Sequence, residues 1–165
     1  MLKDFNLKFT FTRKAFDPVS PDFVFWYYSN GYGSALKSHF TLSDISLNIR
    51  YQPKVTWIID GLRRFPVNFN KAPVFSFDYF YGQKGWFNSD FDVRKISVAI
   101  EHNFIPGAFG MMVYDIRFSH SFKSLPYPAL NVLAGNQSFF RSDRTYNLMN
   151  YGEFVASETF ELFYA

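Results

Sequence analysis

Asp44-Ile45-Ser46-Leu47-Asn48-Ile49-Arg50-Tyr51 carries an apolar side chain at every second position and a polar one between. Successive side chains of a strand point to opposite faces. The stretch therefore reads as a ribbon with one greasy side and one polar side. The same beat returns along the chain. Leu7, Phe9 and Phe11 alternate with Lys8, Thr10 and Thr12, and Phe75, Phe77, Tyr79 and Tyr81 with Ser76, Asp78 and a less cooperative Phe80. Ile96, Val98 and Ile100 alternate with Lys95, Ser97, Ala99 and Glu101. Met112, Tyr114, Ile116 and Phe118 alternate with Val113, Asp115, Arg117 and Ser119, and Phe160, Leu162 and Tyr164 with Thr159 and Glu161. Six strands are expected, with a weaker seventh from Val55 to Asp60.

Turn residues separate these runs. Pro106-Gly107 makes Phe91 to His120 a hairpin. Asp17-Pro18 with Ser20-Pro21, Asn30-Gly31-Tyr32-Gly33 and Gly82-Gln83-Lys84-Gly85 mark further turns. The two Gly-rich runs lack the strand–turn–helix setting of a phosphate loop. No segment holds an apolar helical stripe for three turns. The expected fold is all-β: a single antiparallel, up-and-down meander over residues 1–165, with a long loop at about 121–150. Loops of that length are uncommon in compact domains and are usually functional.

Composition narrows the class. The 165 residues suit one domain, and 48% hydrophobic against 19% charged residues excludes a disordered chain. Aromatic residues make up 22%, with 23 Phe, 11 Tyr and 3 Trp. Such rings favour strands and also gather where hydrocarbon meets water. The net charge of +3 is not gathered into a stripe, so no nucleic-acid partner is expected. The absence of Cys excludes disulfides and thiolate metal sites. No apolar run approaches the ~18 residues of a spanning helix. The stretch Met1 to Lys8 lacks the apolar core of an export signal.

Strand length separates two all-β readings. Soluble strands average about 5–6 residues, whereas a tilted membrane strand needs about 9–11. Lys3 to Arg13, Phe40 to Gln52, Phe91 to Phe104 and Ala108 to His120 belong to the longer class. Their polar side holds Lys, Arg, Asp and Glu, which suits a hydrated lumen. The expectation is part of a transmembrane β-barrel in the bacterial outer membrane. Its partners would be the lipid bilayer and the remaining strands of a larger barrel; a specific protein partner is not identifiable. Six or seven strands fall short of the roughly eight that close a barrel, so the chain reads as a fragment. The alternative is a soluble β-rich binding module whose exposed aromatics stack on sugars or peptides.

A resemblance bears on this choice. Leu125-Pro126-Tyr127-Pro128-Ala129-Leu130, Ala134-Gly135-Asn136-Gln137-Ser138 and Tyr146-Asn147-Leu148-Met149-Asn150-Tyr151-Gly152-Glu153-Phe154-Val155 carry it. So do Arg64-Phe65-Pro66, Ala72-Pro73-Val74-Phe75, Tyr81-Gly82-Gln83-Lys84-Gly85 and Ser89-Asp90-Phe91. From about Tyr51 onward the chain resembles the barrel region of Bacteroidota outer-membrane proteins of unassigned function. That family places a carboxypeptidase-regulatory-like domain ahead of a distantly BamA-like barrel. Asn147-Leu148-Met149-Asn150 is the most specific part, and Ala134 stands where the family usually has Pro. The resemblance implies a place in the outer membrane, with transport or assembly as the work, more than any activity.

Catalytic and cofactor signatures are weak, and a non-enzymatic protein without cofactor or metal is expected. Glu101 and His102 are strand neighbours that diverge, so they cannot share a metal. Ser119, His120, Ser121 and Asn131 lack an elbow motif, and neighbours diverge there too. Lys95, Glu101, Asp115 and Arg117 would either tune a polar lumen or form cross-strand ion pairs. Asn136, Gln137, Asn147 and Asn150 carry uncharged donors and acceptors, suited to bracing a loop in a lumen or contacting a ligand. Trp57, Tyr79, Tyr81, Trp86, Tyr114 and Tyr164 are candidate membrane-interface aromatics, with Phe118 as a further girdle candidate.

Overall fold

The computed structural model describes residues 4–18, 20, 25–28, 34–37, 39–67, 72–107, 110–138, 144–150 and 152–165. The expected turn at 30–33, Pro21 of the expected Ser20-Pro21 turn, and the expected strand starts at Lys3 and Ala108 lie outside these, as does the side chain of Trp57. Among the described residues, fourteen strands run in chain order. They are β1 (Phe5–Phe16), β2 (Phe25–Tyr28), β3 (Ser34–Lys37), β4 (Phe40–Tyr51), β5 (Thr56–Asp60), β6 (Arg63–Val67) and β7 (Val74–Gly82). Then come β8 (Val93–Phe104), β9 (Met112–Ser121), β10 (Asn131–Val132), β11 (Gly135–Asn136), β12 (Tyr146–Asn147), β13 (Val155–Ala156) and β14 (Glu158–Tyr164).

One six-stranded sheet, ordered β1-β4-β7-β8-β9-β14, organises the chain. Every neighbouring pair in it is antiparallel. These are the six strands that alternation marks out, and the β8–β9 hairpin is the one expected around Pro106-Gly107. β1, β4 and β8 are 12 residues long, β9 is 10 and β7 is 9. The weaker seventh strand, β5, forms a separate ribbon with β6, and β2 with β3 forms another.

Register assigns each residue to a face. Leu7, Ile49, Phe77, Val98, Phe118 and Phe160 form one continuous cross-strand row. Phe5, Tyr51, Phe75, Ile100, Ile116 and Leu162 form the next. This apolar face is open: Phe9 and Phe160 are each 68% exposed, and Leu7, Phe11, Leu162 and Tyr164 are also exposed. The opposite, charged face carries Lys8, Asn48, Asp78, Lys95, Glu101, Asp115, Arg117 and Glu161. The segment between β9 and β14 folds over it. Leu125 joins Phe40, Leu42, Phe91 and Val93 in a small buried cluster at one end of that face. A water-soluble sheet buries its greasy side; here the polar side is partly covered and the greasy side is largely bare.

The border of the apolar band is slanted. The first outward polar residues are Arg13 on β1 and its cross-strand partner Ser43 on β4. On β8 the border falls at Arg94, in the row of Tyr81 and Ile45, and on β9 and β14 at His120 and Glu158, in the row of Ile96. The border thus drifts by four residues across the sheet. At ~3.4 Å per residue and ~4.8 Å per strand spacing, that is a slant of about 30° to the strand perpendicular.

Candidate functional site

The charged face is densest where β8 and β9 meet. Glu101 and Asp115 stand directly opposite each other. Like charges in that position repel, so the pair needs cations. Arg117 lies two residues beyond Asp115 on the same strand and face. It donates from Nε to Oδ1 at 2.9 Å and from Nη2 to Oδ2 at 2.7 Å. Arg144, from the covering segment, donates through Nε to Asp115 Oδ2 at 2.9 Å and through Nη2 to Glu101 Oε2 at 2.9 Å. Arg50 reaches Glu101 more loosely, at 3.9 Å. Asp115 is 1% exposed, and these guanidiniums pair its buried carboxylate. Glu161 stands opposite Arg117 on β14.

The covering segment is built to present Arg144. A parallel bridge pairs Gly135 with Tyr146 and Asn136 with Asn147. Tyr146 and Leu148 donate their backbone N–H groups to the carbonyls of Ala134 and Asn136 at 2.8 and 2.9 Å. Arg144 itself takes a left-handed conformation, φ 61°, which costs an L residue roughly 1–2 kcal/mol. The ion pairs offset it. Tyr146, two residues on, rests its ring on Phe163 with centroids 5.0 Å apart. Burial pushes its phenol above the usual range, and Glu161 nearby adds to the shift.

The four expected loop amides sit in this segment. Asn136 donates to Asn147 Oδ1 at 3.2 Å and accepts from the backbone of Ser138 at 2.9 Å. Gln137 donates to Asn150 Oδ1. Asn150 in turn donates from its backbone and side chain to Glu153 Oε2. Elsewhere Lys95 Nζ donates to the Ala129 carbonyl at 3.2 Å, Asn131 to the Ser157 carbonyl at 3.2 Å, and the Tyr127 hydroxyl to the Gly152 carbonyl.

Residues 8–163 match the C-terminal domain of a family of unknown function, DUF5686. The chain belongs to that family. No curated protein and no solved structure matches the chain. In this DUF5686 domain the charged cluster and the apolar rows lie on opposite faces of one sheet.

Four of the expected aromatics, Tyr81, Trp86, Tyr114 and Tyr164, fall in two groups at the ends of the apolar face. Tyr81 meets Trp86 edge-on at 5.6 Å and lies under the Arg94 guanidinium at 5.5 Å. At the other end Tyr114 meets His102 at 5.6 Å, and the Tyr164 hydroxyl approaches Met112 Sδ at 3.8 Å. Phe118 lies in the Leu7 row of the same face, well inside the band, and Tyr79 is also inside it, beside Leu47 and Ile96. Glu101 and His102 diverge as strand neighbours should. Ser119 bonds Ser97 at 2.8 Å on the charged face, while His120 lies on the apolar face against Phe122. Arg144 was invisible to pattern reading, because nothing in Arg141-Ser142-Asp143-Arg144 marks one basic residue above another.

Proposed function

We propose that this domain is a non-enzymatic wall segment of an outer-membrane β-barrel that serves transport or outer-membrane assembly. Its apolar face meets the lipid bilayer and its charged face looks into the lumen. The observation that carries this reading is the inversion of the sheet. Its apolar rows, from Leu7 to Phe160 and from Phe5 to Leu162, lie largely bare, while the buried Asp115 and its guanidinium partners sit beneath a folded-over segment. In water that arrangement forfeits the main driving force of folding; in lipid it is the expected one.

Two further features support the same reading. The ~30° slant of the band approaches the 35–45° strand tilt of membrane barrels. Aromatic groups with a cation, Tyr81, Trp86 and Arg94, gather at one border, as at a membrane interface. β1 and β14 are each bonded on one side only among the described residues. Unpaired strand edges cost several kcal/mol per group in hydrocarbon, so further barrel strands complete the sheet. The segment between β9 and β14 acts as an internal plug latched by Arg144. The motifs around Asn147 and Gly135 connect the domain with Bacteroidota outer-membrane proteins that pair a carboxypeptidase-regulatory-like domain with a distantly BamA-like barrel.

Spin labels placed singly at Leu7, Lys8, Phe9 and Thr10 in the membrane-reconstituted protein test the reading. Labels at 7 and 9 should be accessible to lipid-soluble oxygen, and those at 8 and 10 to a water-soluble nickel chelate. Labels without this alternation, or a monodisperse protein that needs no detergent, would replace the barrel by a soluble module whose aromatics bind sugars or peptides.

A further inference from the structure

Between the charged face and the turn at Tyr127–Ala129 lies a crevice of about 220 Å³. We propose that it binds small amphiphilic anions, the head group between Lys14 and Lys95 and the alkyl tail against Phe16, Phe80 and Leu130. The proposal concerns the covered side of the sheet and stands whether lipid or water meets the other side.

Register brings the head-group site together. Thr12 is opposite Asp44, and Lys14 is opposite Leu42, so Lys14 and Asp44 are diagonal neighbours on one face. Lys95 lies opposite Phe80, one row away. Gly82 packs bare backbone against Ser43 and Asp44, where a Cβ would run into the Ser43 carbonyl. No side chain therefore rises between Asp44 and Val93, and Asp44 is within electrostatic reach of both lysines. Two ammonium groups against one carboxylate leave a single positive charge. An ammonium has three N–H donors, and the Ala129 carbonyl takes one from Lys95 at 3.2 Å. That leaves Lys95 and Lys14 donors for an incoming carboxylate or phosphate.

The rest of the crevice is greasy. Phe16, Phe80 and Leu130 pack on the buried cluster of Leu42, Val93 and Leu125. The volume lies below the ~300 Å³ at which sites for drug-sized ligands begin, so a short chain is the natural fit. Since Lys95 also holds the Ala129 carbonyl, an anion drawing on this lysine bears on a contact that seats the covering segment.

Equilibrium dialysis of the whole protein in nanodiscs, against empty nanodiscs, tests this with octanoate, octanol and octyltrimethylammonium. Saturable octanoate binding, about fivefold tighter than octanol, is expected, with the cation weakest. Lys14→Met and Lys95→Met should each weaken octanoate about fivefold without changing octanol. Lys95→Arg should retain binding, and Asp44→Asn should tighten it. Octanol bound as tightly as octanoate, lysine variants that bind unchanged, or uptake no greater than by empty discs overturns the proposal. Lys95→Arg keeps both the cation and a donor for Ala129, and unchanged octanol binding in Lys95→Met shows that the crevice persists, so loss of octanoate alone reports the charge.

Discussion

A single guanidinium, that of Arg144, joins the covering segment to two strands, meeting Asp115 of β9 and Glu101 of β8 at 2.9 Å each. Arg117 and Arg50 also meet these two opposed carboxylates, one of them almost wholly buried, but Arg144 is the cation that comes from the covering segment. The pairing therefore does two jobs: it adds a cation between Glu101 and Asp115 and seats the segment above them.

Arg144→Met should cost about 1.5–3 kcal/mol, the worth of hydrogen bonds to charged groups. The loss should be local. Amide exchange of residues 131–136 and 144–150 should accelerate, while the β8–β9 ladder stays protected. Uniform acceleration across both would mean that the guanidinium holds the whole domain rather than the segment.

Phe9→Arg and Thr10→Arg are one residue apart on opposite faces of β1. In a bilayer the first should destabilise by about 2–4 kcal/mol and the second by far less. Phe9 is largely exposed, so in a water-soluble protein the first change would be close to neutral. Unfolding in urea from lipid vesicles measures the difference directly.

These strands were readable because each exposes one face to a uniform medium, which stamps a period of two on the sequence. Leu7 to Thr12 and Ile45 to Tyr51 show it undiluted, and their pairing follows in register. β2, with Phe25-Trp26-Tyr27-Tyr28, and β6, with Arg63-Arg64-Phe65-Pro66-Val67, lack that alternation, and Pro66 argues against a ladder. The covering segment was legible only as a loop. Its shape comes from two-residue bridges and side-chain bonds, which leave no period. Glu101, Asp115 and Arg117 were visible as strand charges, but the cation that unites them comes from a segment whose path no pattern reports.

Gly135→Ala should detach part of that segment. A Cβ at residue 135 would collide with the backbone carbonyls of Met149 and Asn150, which cannot swing aside as a side chain would. A loss of about 1–3 kcal/mol is expected, together with protease cleavage near residues 144–150 that the parent resists. Cleavage patterns identical to the parent would show that the bridge tolerates displacement.

Tyr146 supplies a pH dependence. Its phenol is held above the usual range by burial first and by Glu161 second. The folded protein then keeps the proton more firmly than the unfolded chain does. The associated stability is whole below the ordinary tyrosine pKa of ~10 and is lost as pH climbs through the raised value. Tyr146→Phe should remove that alkaline loss, read as a flatter stability profile above pH ~10.

The oblique border from Arg13 and Ser43 to His120 and Glu158 fixes more than the posture of six staves. In the proposed barrel, any strand bonded to the side of β14 away from β9 inherits the same screw. Its hydropathic phase must therefore lag by roughly one residue per added strand. The neighbours of this wall can accordingly be sought by the timing of their first outward charge, even where no residue is shared.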